Sequence, residues 1–384
     1  MTKHKTKRQI IRKKWQKIKN SITRLKQNYV FPKQYEKISK YEKRKSRKKP
    51  QKEDLFAIEL GSKIDFEQNI KNLFLITKQF DKHIKSNIKK SFRINHNELK
   101  EVSIDGLLYL VSQITKLNKV KKVDYEKRLL KYNKKFGLKS ADERLKHLFH
   151  KIGYWKYFNI TKPYKVSKDI ENTYLLSLKS STSSDIDSLN DIKNFIKSNI
   201  SVFNDYNFEY KLDDAIKEAM GNALEHAYPE DLNEAAKDNN RWWICGNYDS
   251  KTKVLQIVFY DYGVGIRESM KRNMGEEAKK YLFDTLSDNY IKNDSDLIEQ
   301  AIDGKLAKYK KYKERDRGKG FGRFKDLAQS LNLDCELKVI SGKGKYIFTY
   351  DSISHNKTHK KENLNKSIDG MLIKWTIKLG GVYE

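Results

Sequence analysis

The stretch that decides the fold of the second half of this chain is EAMGNALEHAY, residues Glu218–Tyr228. Apolar residues recur around it every three or four positions, which predicts the buried stripe of an α-helix. That stripe comprises Ile216, Ala219, Met220, Ala223 and Ala227. The same helix carries four polar residues of kinds that perform chemistry in proteins: Glu218, Asn222, Glu225 and His226.

The polar residues of this helix are spaced to share a second face. Glu218 and Asn222 are four positions apart, His226 lies one further turn along, and Glu225 lies beside that row. A carboxylate and an amide supply the oxygen ligands that Mg²⁺ prefers, and a carboxylate also orients or deprotonates water. Taken alone, the pattern also fits an ordinary amphipathic helix with a solvated polar face, which is the more common case.

A turn with alternating glycines follows a predicted strand downstream. The strand VLQIVFY, residues 254–260, leads into Asp261-Tyr262-Gly263-Val264-Gly265-Ile266. An acid at the end of a strand places a carboxylate at the floor of a site, and glycines let the backbone approach a ligand closely.

A second glycine-rich turn, DRGKGFGRF, occupies residues 316–324. Backbone amides of such a turn, followed by a helix beginning near Arg323, suit phosphate oxygens. The turn is not a Walker A loop, because no Gly-Lys-Ser/Thr ends it. It is not a Rossmann fingerprint either, because no strand leads directly into it.

In this order, the three segments resemble the ATP-binding site of the GHKL family. That family includes DNA gyrase B, MutL, the 90-kDa heat-shock chaperone, sensor histidine kinases and anti-sigma-factor kinases. The segments Glu-x3-Asn-x3-His, Asp-x-Gly-x-Gly and Gly-x-Gly-x-Gly, with IDGMLIKWTIKL, span about residues 170–384. Gly370 matches the opening of the family's last strand, whereas Met371 replaces the usual Thr. The helix at Glu218 is most similar to the anti-sigma-factor kinase branch.

The resemblance implies a fold class of α+β or α/β. Residues 164–384 would form a histidine-kinase-like Bergerat-type α/β sandwich, a mixed sheet with helices on one face. Its ligands would be ATP and Mg²⁺. Asn222 would coordinate the Mg²⁺ that bridges the phosphates, Glu218 would be the general base or water-orienting carboxylate, and His226 would lie behind them.

The resemblance implies that the first glycine turn contacts the adenine and the second contacts the triphosphate. Asp261 would accept a hydrogen bond from the adenine amino group, while Gly263, Gly265 and Ile266 would shape the adenine pocket. The triphosphate would lie against Arg317, Gly318, Lys319, Gly320, Phe321 and Gly322. The charges of Arg317 and Lys319 fit a solvated loop equally well.

The segment between the two glycine turns, residues 267–316, would be the ATP lid of the family. It carries helical stretches such as EEAKKYLFDTL, and a structureless loop of this length is uncommon. Its lysine-rich end, residues 308–315, fits a solvated charged helix better than a phosphate contact.

Upstream, residues 55–120 alternate strand, helix, strand and helix, which predicts a small α/β domain. The layout resembles a STAS-type domain, the fold of bacterial anti-anti-sigma factors. In that family a serine at the turn before the second helix is phosphorylated, whereas here the turn is Ile104-Asp105-Gly106 and only Ser103 is near. We assign this domain and its helical extension to residues 51–163.

Charge and composition narrow the classes of partner. The net charge is +31, of which +18 falls in residues 1–50, a basic N-terminal arm that is helical or partly disordered. Such an arm favours nucleic acid or an acidic protein surface, although a solvated arm in a lysine-rich protein fits as well. No apolar run approaches the ~20 residues that cross a bilayer, and the chain has only two cysteines, which favours a soluble cytoplasmic protein.

Three functions remain open on sequence grounds. The chain could be a slow ATP hydrolase that acts as a conformational switch, an anti-sigma-type serine kinase, or a nucleic-acid- or protein-binding module whose assembly ATP regulates. A histidine kinase is disfavoured, because His83, His96, His147 and His150 lack the phosphoacceptor context. Proteins resembling this family occur in bacterial regulatory and antiviral modules, and they often dimerise on binding ATP.

Overall fold

The computed structural model describes residues 56–85, 92–121, 143–158, 172–200, 206–229, 241–284, 291–305, 322–323, 325–326 and 332–379. Four predictions fall outside these ranges: the basic arm at 1–50, the domain boundary near 164, the lysine-rich segment at 308–315 and the phosphate contacts at 317–321. The described residues from 56 onwards belong to one compact unit.

The first layer of this unit alternates strands and helices. Its elements are β1 (Phe56–Glu59), β2 (Lys63–Ile64), α1 (Ile70–Lys85), β3 (Phe92–Asn95), β4 (Glu101–Val102) and α2 (Ile104–Lys121). Strand β1 pairs with β3 and β2 pairs with β4, both in parallel, and α1 supplies the crossover that a parallel pair needs. The predicted order of strand, helix, strand and helix is confirmed. Helix α3 (Glu143–Lys151) and a 3₁₀ helix (Tyr154–Phe158) complete the layer.

The second layer is a five-stranded sheet in the order β5-β6-β7-β9-β8. Its strands are β5 (Thr173–Ser181), β6 (Trp242–Asp249), β7 (Val254–Asp261), β8 (Cys335–Tyr350) and β9 (Lys357–Lys378). All four pairings are antiparallel, so the expectation of a mixed sheet is wrong. Two of these pairings, β6–β7 and β8–β9, are hairpins closed by short turns, and such hairpins run antiparallel.

Five helices cover one face of the sheet. They are α4 (Ile186–Asn199), α5 (Tyr206–His226), α6 (Gly265–Asn273), α7 (Glu276–Phe283) and α8 (Asp294–Ile302). The predicted apolar stripe of α5, from Ile216 to Ala227, is buried as expected, and most of it packs in a core with Phe259 and Trp375 of the sheet. No helix of the described residues is long and apolar enough to cross a membrane.

The described part of the expected ATP lid is built into this core. Met270 of α6, Leu282 of α7 and Leu297 of α8 are buried there with the sheet residues. Burial of a Leu or Met side chain contributes about 1.5–3 kcal/mol, so these three helices add to the stability of the core.

The five helices of residues 186–302 lie on one face of the sheet, as expected, and the upstream layer covers the opposite face. Leu108 of α2 and Phe149 of α3 form a second core with Trp243 and Val258 of the sheet. Because successive residues of a strand point to opposite faces, Trp242 belongs to the first core and Trp243 to the second. The unbroken apolar runs in β6 and β7 reflect this burial on both sides.

Strand β9 is longer than its sequence indicates. We predicted a strand from Gly370, but β9 begins at Lys357 and pairs with β8 from Tyr350 to Cys335 with irregular register near Gly342. The added segment, KTHKKENLNKS, has no apolar alternation and is mostly exposed. Backbone hydrogen bonds hold it in the ladder, and such bonds leave no pattern in the sequence.

Ion pairs to buried lysines join the two layers. Asp105, at the start of α2, is 1% exposed, and Lys374 of β9 places its Nζ 3.7 Å from the Asp105 carboxylate. Lys374 also lies 4.0 Å from Glu67, which contacts the fully buried Lys338 of β8. The acid at the turn that resembles the STAS phosphorylation site is therefore a docking contact to the sheet.

We expect Asp105→Ala to destabilise the protein by about 3 kcal/mol, because it removes a carboxylate that faces a buried lysine. Urea unfolding measures this change. Glu98→Ala removes an exposed carboxylate of the same layer and should change the free energy of unfolding by less than about 0.5 kcal/mol. Equal effects of the two variants would contradict the docking role of Asp105.

Candidate functional site

One face of α5 carries a row of polar side chains beside the buried stripe. Asp214, Glu218 and Asn222 follow one another at intervals of four residues, so their side chains lie along one side of the helix. Asn222 Nδ2 donates to Glu218 Oε1 at 3.2 Å, and both side chains are half-buried. In this orientation the Asn222 amide directs its oxygen, the atom type that Mg²⁺ prefers, away from the carboxylate.

The helix ends with a weaker polar pair. His226 Nε2 lies 3.9 Å from Glu225 Oε2, and Glu225 is exposed. His226 follows Asn222 by four residues, so it continues the polar row towards the end of the helix. Its proposed place behind the metal ligand stays a prediction.

The Asp261 carboxylate lies at the end of β7 in a dry environment. Asp261 is 2% exposed, and its carboxylate accepts hydrogen bonds from the backbone N–H groups of Gly263, at 2.9 Å, and Met371. Burial raises the pKa of Asp261 to about 7, and the two backbone hydrogen bonds oppose that rise. A carboxyl group with this pKa changes its charge near neutral pH.

The turn after Asp261 packs directly on the end of α5. The backbone N–H of Val264 donates to Ala227 O at 2.8 Å. A Cβ atom on Gly263 would lie 2.5 Å from the same Ala227 oxygen, closer than any side chain tolerates. Glycine at this position therefore allows the Asp261 turn to meet the helix that carries Glu218 and Asn222.

A second backbone turn lies against Asp261 from β9. Gly370 has a φ of +77°, and a Cβ there would lie 2.8 Å from the carbonyl carbon of Asp261. Both features require glycine, as the resemblance to the last family strand implies. Ser341 of β8 ties the two turns together, because its Oγ donates to Gly370 O at 2.9 Å and accepts from Ile266 N at 2.9 Å. No sequence signal marked Ser341, since a lone serine in a strand is ordinary.

Arg323, which directly follows the second glycine-rich turn in sequence, contacts the same helix. Its Nη1 lies 3.2 Å from Asp214 Oδ1 and 3.5 Å from Glu218 Oε2. Arg323 follows Gly322, the last glycine of the turn, whereas Arg317, Gly318, Lys319, Gly320 and Phe321 lie outside the described residues. Sequence reasoning named Arg323 only as the start of a helix, although a cation directly after a phosphate-type turn was a signal for a role in the site.

The donor set limits what kind of metal ion the polar row of α5 could hold. Among the described residues, no group of three or more His, Cys, Asp or Glu is placed to hold a metal ion. The histidines of α3 agree with this, because His147 is buried and His150 is exposed. A divalent cation at α5 would thus need oxygens of a bound ligand in addition to the Asn222 oxygen, which is how Mg²⁺ commonly binds with substrate phosphates.

No protein-family model matches the chain, and no curated protein matches it in sequence. The assignment of a function consequently rests on the residues and their geometry. Three segments that are distant in sequence meet at α5: the helix itself, the Asp261 turn through Ala227, and the residue after the second glycine turn through Glu218.

The raised pKa of Asp261 predicts a dependence of stability on pH. Between about pH 4 and about pH 7 the folded protein keeps a proton on Asp261 that the unfolded chain has released. The contribution of Asp261 to the free energy of unfolding therefore falls as the pH rises through that window. The free energy of unfolding of Asp261→Asn, measured relative to wild type, should therefore rise by about 3 kcal/mol between roughly pH 5 and pH 8. Urea unfolding at both pH values measures the difference. A constant difference would show that Asp261 titrates normally.

Proposed function

We propose that this protein binds ATP with Mg²⁺ and hydrolyses it slowly, and that it acts as a nucleotide-driven conformational switch of the GHKL type. The observation that carries the proposal is that the Asp261 turn packs on the end of helix α5, while Arg323, the residue after the second glycine-rich turn, contacts Glu218 of the same helix. Motifs found by chance have no reason to converge, whereas an ATP site needs base, metal and phosphate contacts in one place.

The base end of the proposed site is the Asp261 carboxylate. Its two backbone donors, Gly263 and Met371, fix its position, and the remaining lone pairs accept from an exocyclic amino group. An adenine amino group is such a donor, whereas guanine presents a carbonyl oxygen at the corresponding ring position. Asp261 in its ionised form would therefore favour adenine.

The phosphate end of the proposed site is the polar row of α5. Asn222 would hold Mg²⁺ through its amide oxygen, and the cation would neutralise charge on the phosphates. Glu218, one turn earlier, would orient or deprotonate the attacking water. Arg323 Nη1 lies 3.5 Å from Glu218 Oε2, a contact that would hold the carboxylate in place.

Arg323 also offers a way to couple nucleotide binding to shape. It is shared between Asp214 and Glu218, and phosphate oxygens are competing anions of higher charge. Exchange of these carboxylates for a phosphate would move the residue that follows the second glycine turn. The nucleotide state would thereby change the position of that turn.

Calorimetric titration with ATP, ADP and a non-hydrolysable ATP analogue, with and without Mg²⁺, tests the proposal. We expect saturable binding of all three, and ATP binding should weaken at least about tenfold without Mg²⁺, because the cation screens the phosphates from Asp214 and Glu218. Absence of binding under every condition would overturn the proposal.

We expect Glu218→Gln to lower the rate of ATP hydrolysis at least about 100-fold while the Kd for ATP changes less than about threefold, because the amide fills the same space but accepts no proton. Phosphate release and calorimetry measure the two quantities. Glu225→Gln, an exposed change on the same helix, is the matched control and should hydrolyse ATP normally. Normal hydrolysis by Glu218→Gln would remove its role, and transfer of labelled phosphate to a protein serine would favour a kinase instead.

A further inference from the structure

Lys116 of α2 reaches across the boundary between the two layers. Its side chain is 18% exposed, and its Nζ contacts the Tyr262 hydroxyl. The same Nζ lies 3.6 Å from Asp81 of α1 and 3.7 Å from Asp369 of β9. It also lies 4.3 Å from the centre of the Tyr262 ring, within the range of a cation–π contact.

The two sheet-side partners of Lys116 flank the groups that hold Asp261. Tyr262 directly precedes Gly263, and Asp369 is two residues before Met371. Gly263 and Met371 are the residues whose backbone N–H groups donate to the Asp261 carboxylate. Lys116 thus connects, from the far side of the sheet, the two backbone segments that orient that carboxylate.

Hydrogen bonds make this connection continuous. The Tyr262 hydroxyl donates to Asp369 Oδ2 at 2.5 Å, and the hydroxyl of buried Tyr260 donates to Asp369 O at 2.7 Å. On the other side of the turn, the backbone N–H of Tyr262 donates to the Tyr228 hydroxyl at 2.8 Å. The Tyr262 backbone is thereby held from both sides, and loss of one side frees it to shift.

Charge gives Lys116 a specific effect on the turn. Lys116 faces two carboxylates, Asp81 and Asp369, and without its ammonium group they would face each other as like charges. Repulsion would then drive Asp369 away from α1 and displace the backbone towards Gly370. Asp261 would lose a donor from that segment.

We propose that Lys116 is a positioning residue that sets the selectivity of the nucleotide site for adenine, so that the upstream α/β layer is a working part of that site. This inference rests on the proposed function, because it takes the Asp261 carboxylate as the adenine contact. The plain alternative is that Lys116 only fastens the layers together, and the ratio of ATP to GTP affinity separates the two.

Lys116→Met keeps the length of the side chain and removes its charge. We expect the Kd for ATP and the Kd for ADP to rise together by about 3- to 10-fold, and the Kd for GTP to stay within about twofold, because only the adenine contact is disturbed. Calorimetry measures all three. Lys116→Arg keeps the positive charge and should retain most of the wild-type preference for ATP over GTP. Lys78→Met, an exposed change on α1, is the matched control and should leave every Kd unchanged.

A second variant tests the same connection without touching α2. Asp369 is more than half exposed, so Asp369→Asn leaves the core intact, and we expect it to lower the ATP to GTP preference as Lys116→Met does. Combined with Lys116→Met, it should add no further loss, because the change to Asn removes the repulsion between positions 369 and 81 that Lys116→Met creates. This variant keeps the test decisive if Lys116→Met does not fold.

The outcomes separate this inference from the proposed function. If wild type binds ATP better than GTP and both variants keep that ratio, the role of Lys116 is overturned and the proposed function stands. Equal weakening of ATP and GTP would also overturn it, since that result fits a general structural role. If wild type binds no nucleotide, or binds ATP and GTP alike, the adenine contact of Asp261 fails and this inference fails with it.

Discussion

Burial of the Asp261 carboxylate is the constraint around which the rest of the site is arranged. A carboxylate taken out of water loses several kcal/mol of hydration unless nearby donors replace it. Here the donors are backbone N–H groups from two different segments, so β7 and β9 must lie side by side and both turns must come close. Glycine at 263 and 370 permits that approach, and the dry setting accounts for a pKa near 7.

The coverage of both sheet faces has a mechanical consequence. A sheet with helices on one face and water on the other can bend towards the water, whereas this sheet lies between two packed cores. In the core between the sheet and the upstream layer, that layer contributes apolar side chains. It also contributes Asp105 and Lys116, which pair with charged residues of β9. The turns at Asp261 and Gly370 are therefore connected to the upstream layer by direct side-chain contacts.

Local elements were predictable where one regular pattern governs them. The apolar stripe of α5, the β6–β7 hairpin and the strand–helix order of the upstream layer follow from periods of 3.6 and 2. The antiparallel sheet, the long β9 and the second covered face were not, because pairing partners and coverage depend on distant segments. Ser341 and Lys116 were missed for the same reason: each is an ordinary residue until its partner is known.

The sequence by itself determined which residues have chemistry to offer and in what order: a helix with Glu218 and Asn222, then Asp261 before glycines, then a second glycine turn. Only the tertiary structure decided that the first two segments meet, that Arg323 reaches Glu218, and that Asp261 is buried. The physical reason is that hydration, charge pairing and close backbone contact are properties of neighbours in space. A residue's type fixes what it can donate or accept, and its surroundings fix whether it carries a charge and what it touches.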